Sequence, residues 1–236
     1  MSLRNLLLGL ALLAAPWAAA AQEQPREAPV AAPAEVSTNS AVRDVYHALF
    51  FDSGIFDTMT SEFLPEYRRQ ATSSVYYRRA SGERREALDR VIEATPQYMR
   101  EEIMAETFVM ADNVSERAAE LLSANDIAML ANFLRDPNWR PFMARMALQG
   151  ANKGPDSIGA DDLSAEEEAQ MNDYAETHFS PQLMENGGAF MNLLVGEMRA
   201  ASPRLQPRIQ RRLAVEICAA LDDRCPRELR DQIRTL

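Results

Sequence analysis

The sequence predicts an all-α protein, a helical bundle containing a duplicated helical hairpin, and three observations predict it. From Ala41 onward, apolar residues recur at three- and four-residue spacing, which lines one face of a helix, and no segment shows the alternation of β-branched residues expected of strands. Two segments 41 residues apart begin alike, Leu122-Ser123-Ala124-Asn125-Asp126 and Leu163-Ser164-Ala165-Glu166-Glu167. Each sets a serine three residues before an acid, in the manner of a capping box. Each unit then carries an aromatic at the matching position, Phe133 or Tyr174, and closes near a proline, Asp136-Pro137 or Ser180-Pro181. Phe133 and Tyr174 are the expected anchors of the repeat, with Phe133 the deeper because it has no hydroxyl to satisfy.

Each element has its own justification. Val42, Val45, Tyr46, Leu49 and Phe50 define a first helical face. Thr60 is a candidate cap for a second helix carrying Phe63, Leu64, Tyr67 and Ala71, which requires Pro65 to lie in the first turn, where its missing N–H is no loss. Ser81-Gly82 breaks the chain. Leu88, Val91 and Ile92 resume the helical spacing, and after Pro96 it continues with Met99, Ile103, Met104, Phe108 and Val109. Trp139 to Met146 is the expected second helix of the first hairpin. Gly150 to Asp162, with three glycines and Pro155, reads as a crossover. After Pro181 come Phe190, Met191, Leu194, Val195 and Met198, with Gly187-Gly188 a place for a kink. Ser202-Pro203 has the form of a serine cap followed by proline at a first helical position. The last long helix presents Ile209, Leu213, Ile217 and Leu221 at four-residue spacing, flanked by Arg208, Arg211 and Arg212.

The N-terminus points to a compartment. Arg4 precedes the apolar run Leu6 to Ala15, and Ala18 to Ala21 precede the polar Gln22, the layout of a secretory signal peptide cleaved near Ala21. The run is shorter than the ~20 apolar residues of a comfortable membrane span, so no stable span is expected in the mature chain. Residues 22–40, with Pro25, Pro29 and Pro33 among Ala, Glu and Gln, read as a disordered spacer, leaving 41–236 as one all-α domain in the periplasm or outside the cell.

The formal charge is −10, the wrong sign for a general nucleic-acid binder. It is also uneven: residues 101–186 hold 17 acidic and 5 basic side chains, whereas 199–236 hold 9 arginines and 5 acids. The expectation is an arginine-rich terminal helix docked on an acidic one.

Cys218 and Cys225 are the only cysteines, and in an exported chain such a pair reads as a disulfide. On one continuous helix their Cα atoms would stand about 10 Å apart, beyond the roughly 7 Å limit for a bridge. The helix must therefore end between them, with Asp222-Asp223-Arg224 as the turn and Pro226 opening a short final helix that brings Leu229 and Ile233 back.

The segment from Leu122 to Pro137, LSANDIAMLANFLRDP, resembles the hallmark of a family of exported bacterial helical proteins known as a domain of unknown function, DUF2059. Phe133 and Pro137 fit that pattern across residues 122–150; Asn138-Trp139 stands where the family often has glycine. The resemblance implies an all-α exported domain and carries no catalytic motif.

Candidate chemistry is sparse. His47 and His178 are the only histidines, and the two-histidine helical motif of a metalloprotease is missing. A metal-assisted hydrolase would have to bring His47 together with His178 and Glu176. No nucleophile-elbow serine and no phosphate loop occur. Asp156, Asp161 and Asp162 lack calcium-loop spacing. Met184, Met191 and Met198 lie a heptad apart, about 10 Å per step, too far for one ion but suited to packing or a partner groove. The expected function is therefore non-catalytic. It is a periplasmic or secreted helical protein acting through protein contacts, without cofactor, and chaperone-like if an apolar groove lies between the hairpins. The partner is an unidentified envelope protein or a second copy; the further alternative is a homo-oligomeric structural bundle.

Overall fold

A computed structural model describes residues 37–145 and 164–235, and every regular element among them is helical. The expected signal peptide, the expected spacer up to residue 36, the expected crossover with its aspartates, and Met146 lie outside the described residues. Helix α1 (Thr38–His47) runs directly into a π-helical turn, Ala48–Asp52. Composition sets the end of the spacer at residue 40, but the helix begins earlier, because Ser37 accepts the Ser40 N–H and so caps the first turn. Asn39 Nδ2 also donates to Asp112 Oδ1 at 2.7 Å. A chain starting at Ser37 should keep the full-length melting temperature. One starting at Ser40 should lose about 1 kcal/mol with the cap, and equal melting of the two would show the cap to be idle.

Helix α2 (Ile55–Ser73) follows Gly54, whose φ of 81° suits glycine. Thr60 is no cap. It lies within the helix and its hydroxyl donates to the Phe56 carbonyl at 2.8 Å, while Pro65 sits mid-helix, not in the first turn. A short α3 (Val75–Arg79) leads through Gly82 to α4 (Glu83–Leu121), which passes Pro96 unbroken. Then come α5 (Ala124–Arg135), a 3-10 turn (Pro137–Trp139) and helical residues 140–145. Beyond lie α6 (Ala165–His178) and α7 (Pro181–Leu221), the latter continuous through Gly187-Gly188, Pro203 and Pro207. Ser202-Pro203 is thus no boundary. A 3-10 turn (Asp222–Arg224) and α8 (Arg227–Thr235) end the described chain.

Both capping boxes form: Ser123 with Asp126 opens α5, and Ser164 with Glu167 opens α6. Asp126 does more, since its buried carboxylate also accepts from Ser180, the cap of α7. Burial pushes the Asp126 carboxyl up, but hydrogen bonds from the Ser123 and Ser180 hydroxyls and the Ser123 N–H outweigh it, and the net shift is downward. Glu167 is pulled down to about 2 by the Ser164 N–H, then by Arg145 and the Ser164 hydroxyl. Depressed carboxyls stabilise the fold above the unfolded range near pH ~4, and that contribution is lost as pH falls through the folded values. Denaturation midpoints should therefore drop between about pH 4 and 2, and Asp126→Asn should flatten that slope. An unchanged slope would remove Asp126 from the balance.

The frame is an antiparallel pair, α4 and α7, about 58 and 61 Å long at 1.5 Å per residue. Contacts from Arg84–Asp223 at one end to Asn113–Glu197 near the other fix their register. Between them Arg212, Arg208 and Arg204 of α7 meet Glu101, Glu102 and Glu106 of α4. The arginine-rich helix does dock on the acidic one. Glu106, 1% exposed, accepts from Arg204 and Arg208 at 2.9 and 2.6 Å, and Arg204 also reaches Glu197.

Helix α1 buries Ala41, Val42, Val45 and Tyr46 in the core shared with α4, α5 and α7. The Tyr46 hydroxyl donates to the Leu194 carbonyl, and burial, with the Glu197 charge beside it, pushes that phenol far up. From Ser61 to Arg79 no side chain is fully buried, and a separate small cluster of Ala80, Leu88 and Leu221 holds the far end. There Cys218 and Cys225 are bridged, Cα to Cα 4.7 Å, with α7 ended between them as the spacing requires. Phe108 and Val109 were expected on the apolar face of α4 but stand 51% and 42% exposed. No helix among the described residues is long and apolar enough to cross a membrane.

Candidate functional site

The most chemically equipped place lies where the π-helical turn meets α5. In an α-helix, residues five apart point about 140° away from each other. The wider π turn instead brings His47 and Asp52 face to face, Nδ1 to Oδ2 at 3.1 Å. The carboxylate can only accept, so His47 Nδ1 carries the hydrogen of this contact. The same Asp52 Oδ2 accepts from Arg135 Nε at 3.0 Å. Arg135 also forks onto both oxygens of Asp44, and the hydrogen bond to Asp44, with that to Asp52, raises its pKa against the opposing effect of burial. The Asp52 carbonyl accepts Arg140 Nε at 3.0 Å. Asp52 thus joins three side chains from three segments.

Around this hub, Phe51 packs edge-on to His47 at 5.3 Å, and Arg100 lies over Phe51 and Phe56 at 4.7 and 4.9 Å while pairing with Asp57. The nearest hydroxyl in sequence, Ser53, is buried and donates to the Leu49 carbonyl, so it is held away from any nucleophilic role. The arrangement offers an oriented, half-exposed imidazole held to α5 through Asp52.

On the other side of α5 the two repeat anchors meet. Phe133 and Tyr174 rings lie 5.3 Å apart, with Trp139 and Phe179 at 5.2 and 5.7 Å from Phe133. Both anchors are half-buried. These rings lie where α5, the following turn and α6 meet. Phe133→Ala should accordingly cost about 1–3 kcal/mol, less than the 3–5 of a fully buried phenylalanine; thermal melting measures it, and a cost near zero would make the cluster superficial. The Trp139 indole N–H is buried without a hydrogen-bond partner among the described residues.

His178 stacks on Tyr174 at 4.2 Å, donates from Nδ1 to the Tyr174 carbonyl, and is exposed. Glu176 is exposed on α6. His47 is therefore engaged at the hub and His178 at the aromatic cluster, and no group of three or more His, Cys, Asp or Glu side chains among the described residues is placed to hold a metal. The heptad methionines share one side of the continuous α7, Met184 50% exposed near its start and Met198 buried further along. Asp52, Arg135 and Arg140 went unread in the sequence. Their only trace was an acid directly after the apolar run Leu49–Phe51 and an arginine closing a capped helix.

No family model matches the chain, and neither a curated protein nor a solved structure matches it.

Proposed function

We propose that the chain is an exported helical module that acts through protein–protein contacts and performs no catalysis of its own. The observation that carries this is the outer face of α4, where Phe108 and Val109 stand exposed side by side and the Arg43 guanidinium lies 4.6 Å over the Phe108 ring. Aromatic and arginine side chains are what protein interfaces concentrate, and here both stand on the outward side of a helix whose inner face is packed. The signal-like N-terminus and the resemblance over residues 122–150 both support an exported role. The partner is an envelope protein or a second copy. A photo-crosslinking residue placed at 108 or 109 in cells should trap a discrete adduct, and the same residue at exposed Glu116 should not. Equal, diffuse labelling at both positions would overturn the reading, and fractionation showing unprocessed protein in the cytoplasm would overturn export.

A further inference from the structure

We propose that α3 docks the protein on the surface of a membrane containing anionic lipid, with Val75 and Tyr76 entering the headgroup layer and Arg78 and Arg79 meeting lipid phosphates. Two observations carry it, the charge of the segment and the direction in which its side chains point. From Tyr67 to Arg85 the chain holds six arginines and one acid, Glu83, a local charge of +5 in a chain whose total is −10. A basic segment of this kind is drawn to anionic lipid.

The orientation is fixed from inside. Tyr77 donates its hydroxyl to Asp89 Oδ1 of α4 at 2.7 Å, and Ala80 is buried with Leu88 and Leu221 in the cluster at the end of the α4–α7 pair. Helical spacing of about 100° per residue then sets Val75, Tyr76, Arg78 and Arg79 around the outer side of the turn, and all four are exposed. Val75 and Tyr76, at 39% and 37%, stand side by side among the few large apolar side chains left open in the described residues. The neighbouring arginines divide into two groups. Arg68, Arg69 and Arg84 pair with Glu93, Glu66 and Asp223. Arg78 and Arg79 have no carboxylate partner among the described residues, and Arg85 lies over the Tyr77 ring at 5.4 Å. The free positive charge therefore sits on the same turn as the open apolar pair.

A solvated basic face is the plainer reading of exposed arginines, but it gives no reason for an aromatic and a branched apolar side chain to stand open beside them. A protein partner takes about 20–30 residues a side, and the patch is four side chains on one turn. A lipid surface asks for less. Tyrosine suits the membrane–water interface, its ring among the headgroups and its hydroxyl wet, and the guanidinium fork matches phosphate oxygens. The site lies apart from the outer face of α4 and does not depend on the crosslinking result there.

Co-sedimentation of the purified protein with vesicles tests it, using phosphatidylcholine alone or mixed with phosphatidylglycerol. The expected result is binding to the mixed vesicles only, weakening as salt rises. Arg78→Gln/Arg79→Gln should reduce it about tenfold or more. Arg117→Gln/Arg199→Gln, which removes the same charge at exposed positions elsewhere, should leave it unchanged. A Tyr76→Trp variant should show fluorescence quenched by brominated lipid, measured against the unsubstituted protein. Absence of binding to the mixed vesicles, equal binding to both kinds, equal loss in the two arginine pairs, or no quenching at residue 76 would overturn the site. Capture of an acidic protein through Arg78 and Arg79 without vesicle binding would assign the patch to a protein and overturn the lipid reading. Should Arg78→Gln/Arg79→Gln fail to fold, quenching at residue 76 decides.

Discussion

Replacing Glu106 with alanine should destabilise the protein by about 2–4 kcal/mol, more than removal of any exposed or half-exposed charge. Its carboxylate is almost wholly buried between α4 and α7 and receives both Arg204 and Arg208. Removing one side of a buried pair leaves the other charge desolvated, which costs about 3–5 kcal/mol when the survivor is fully buried. Here the survivors are 43% and 38% exposed and each keeps a second carboxylate, Glu197 or Glu102. Rehydration and those partners bring the expected cost below the full-burial figure. Urea denaturation measures it directly. Replacing all three residues with apolar ones of similar volume should recover most of the loss, because the pair's net contribution is small even though breaking it is costly. A Glu106→Ala cost under about half a kcal/mol would mean that water already reaches the carboxylate.

Glu106 also shows where sequence periodicity stops. On α4 the inward positions are Met99, Ile103, Glu106, Thr107, Met110 and Val114, while Phe108 and Val109 point out. Apolar spacing alone puts Phe108 inside and Glu106 outside. The exchange is decided by arginines 98 and 102 residues away, which no local window contains. The prolines fail for the same reason. Pro65, Pro96, Pro203 and Pro207 all lie inside helices, where the local cost of a lost hydrogen bond would end an isolated helix. In α4 and α7 that cost is offset by a buried face extending on both sides of each proline, from Leu88 to Ala118 and from Leu183 to Leu221.

What was legible was what short-range chemistry decides. The first helical face from Val42 to Phe50 is buried throughout, and the two capping boxes form where Ser123 and Ser164 stand. A box is a contact between residues three apart, so its signature is complete in sequence. The likeness of the two units covers those openings, the paired rings and a capped proline after each helix, Asp136-Pro137 and Ser180-Pro181. At the candidate site His47 was visible as one of two histidines, but its partner was not. Residues five apart face each other only in a π turn, and nothing in the pattern Tyr46 to Ser53 announces one. Arg135 and Arg140 reach that turn across more than eighty residues.

Opening the Cys218–Cys225 bridge is the second large effect expected. The cysteines are seven residues apart, and for so short a loop the chain-entropy model gives about 2.5 kcal/mol of stabilisation. For a domain of this size that corresponds to a melting temperature lower by roughly 5–10 °C. The native turn needs such help. Asp222 has φ 53° and ψ −122°, the first central position of a type II′ turn, where glycine is the usual residue, and it is the one non-glycine at positive φ among the described residues. Such a backbone costs on the order of 1–3 kcal/mol and persists only when its surroundings fix it. Beyond it, α8 has nine residues, far fewer than an isolated helix needs in water. Leu229 and Ile233 are only half-buried, so little apolar area holds it back. A Cys218→Ser/Cys225→Ser variant should therefore lose stability and, more sharply, lose hydrogen-exchange protection in residues 227–235, while α1 and α5 keep theirs. Asp222→Gly in the oxidised protein should raise stability by about 1 kcal/mol by removing the strain. If the double serine variant melts where the parent does and α8 stays protected, then packing of Leu221, Ala80 and Leu88 alone holds the end of the bundle.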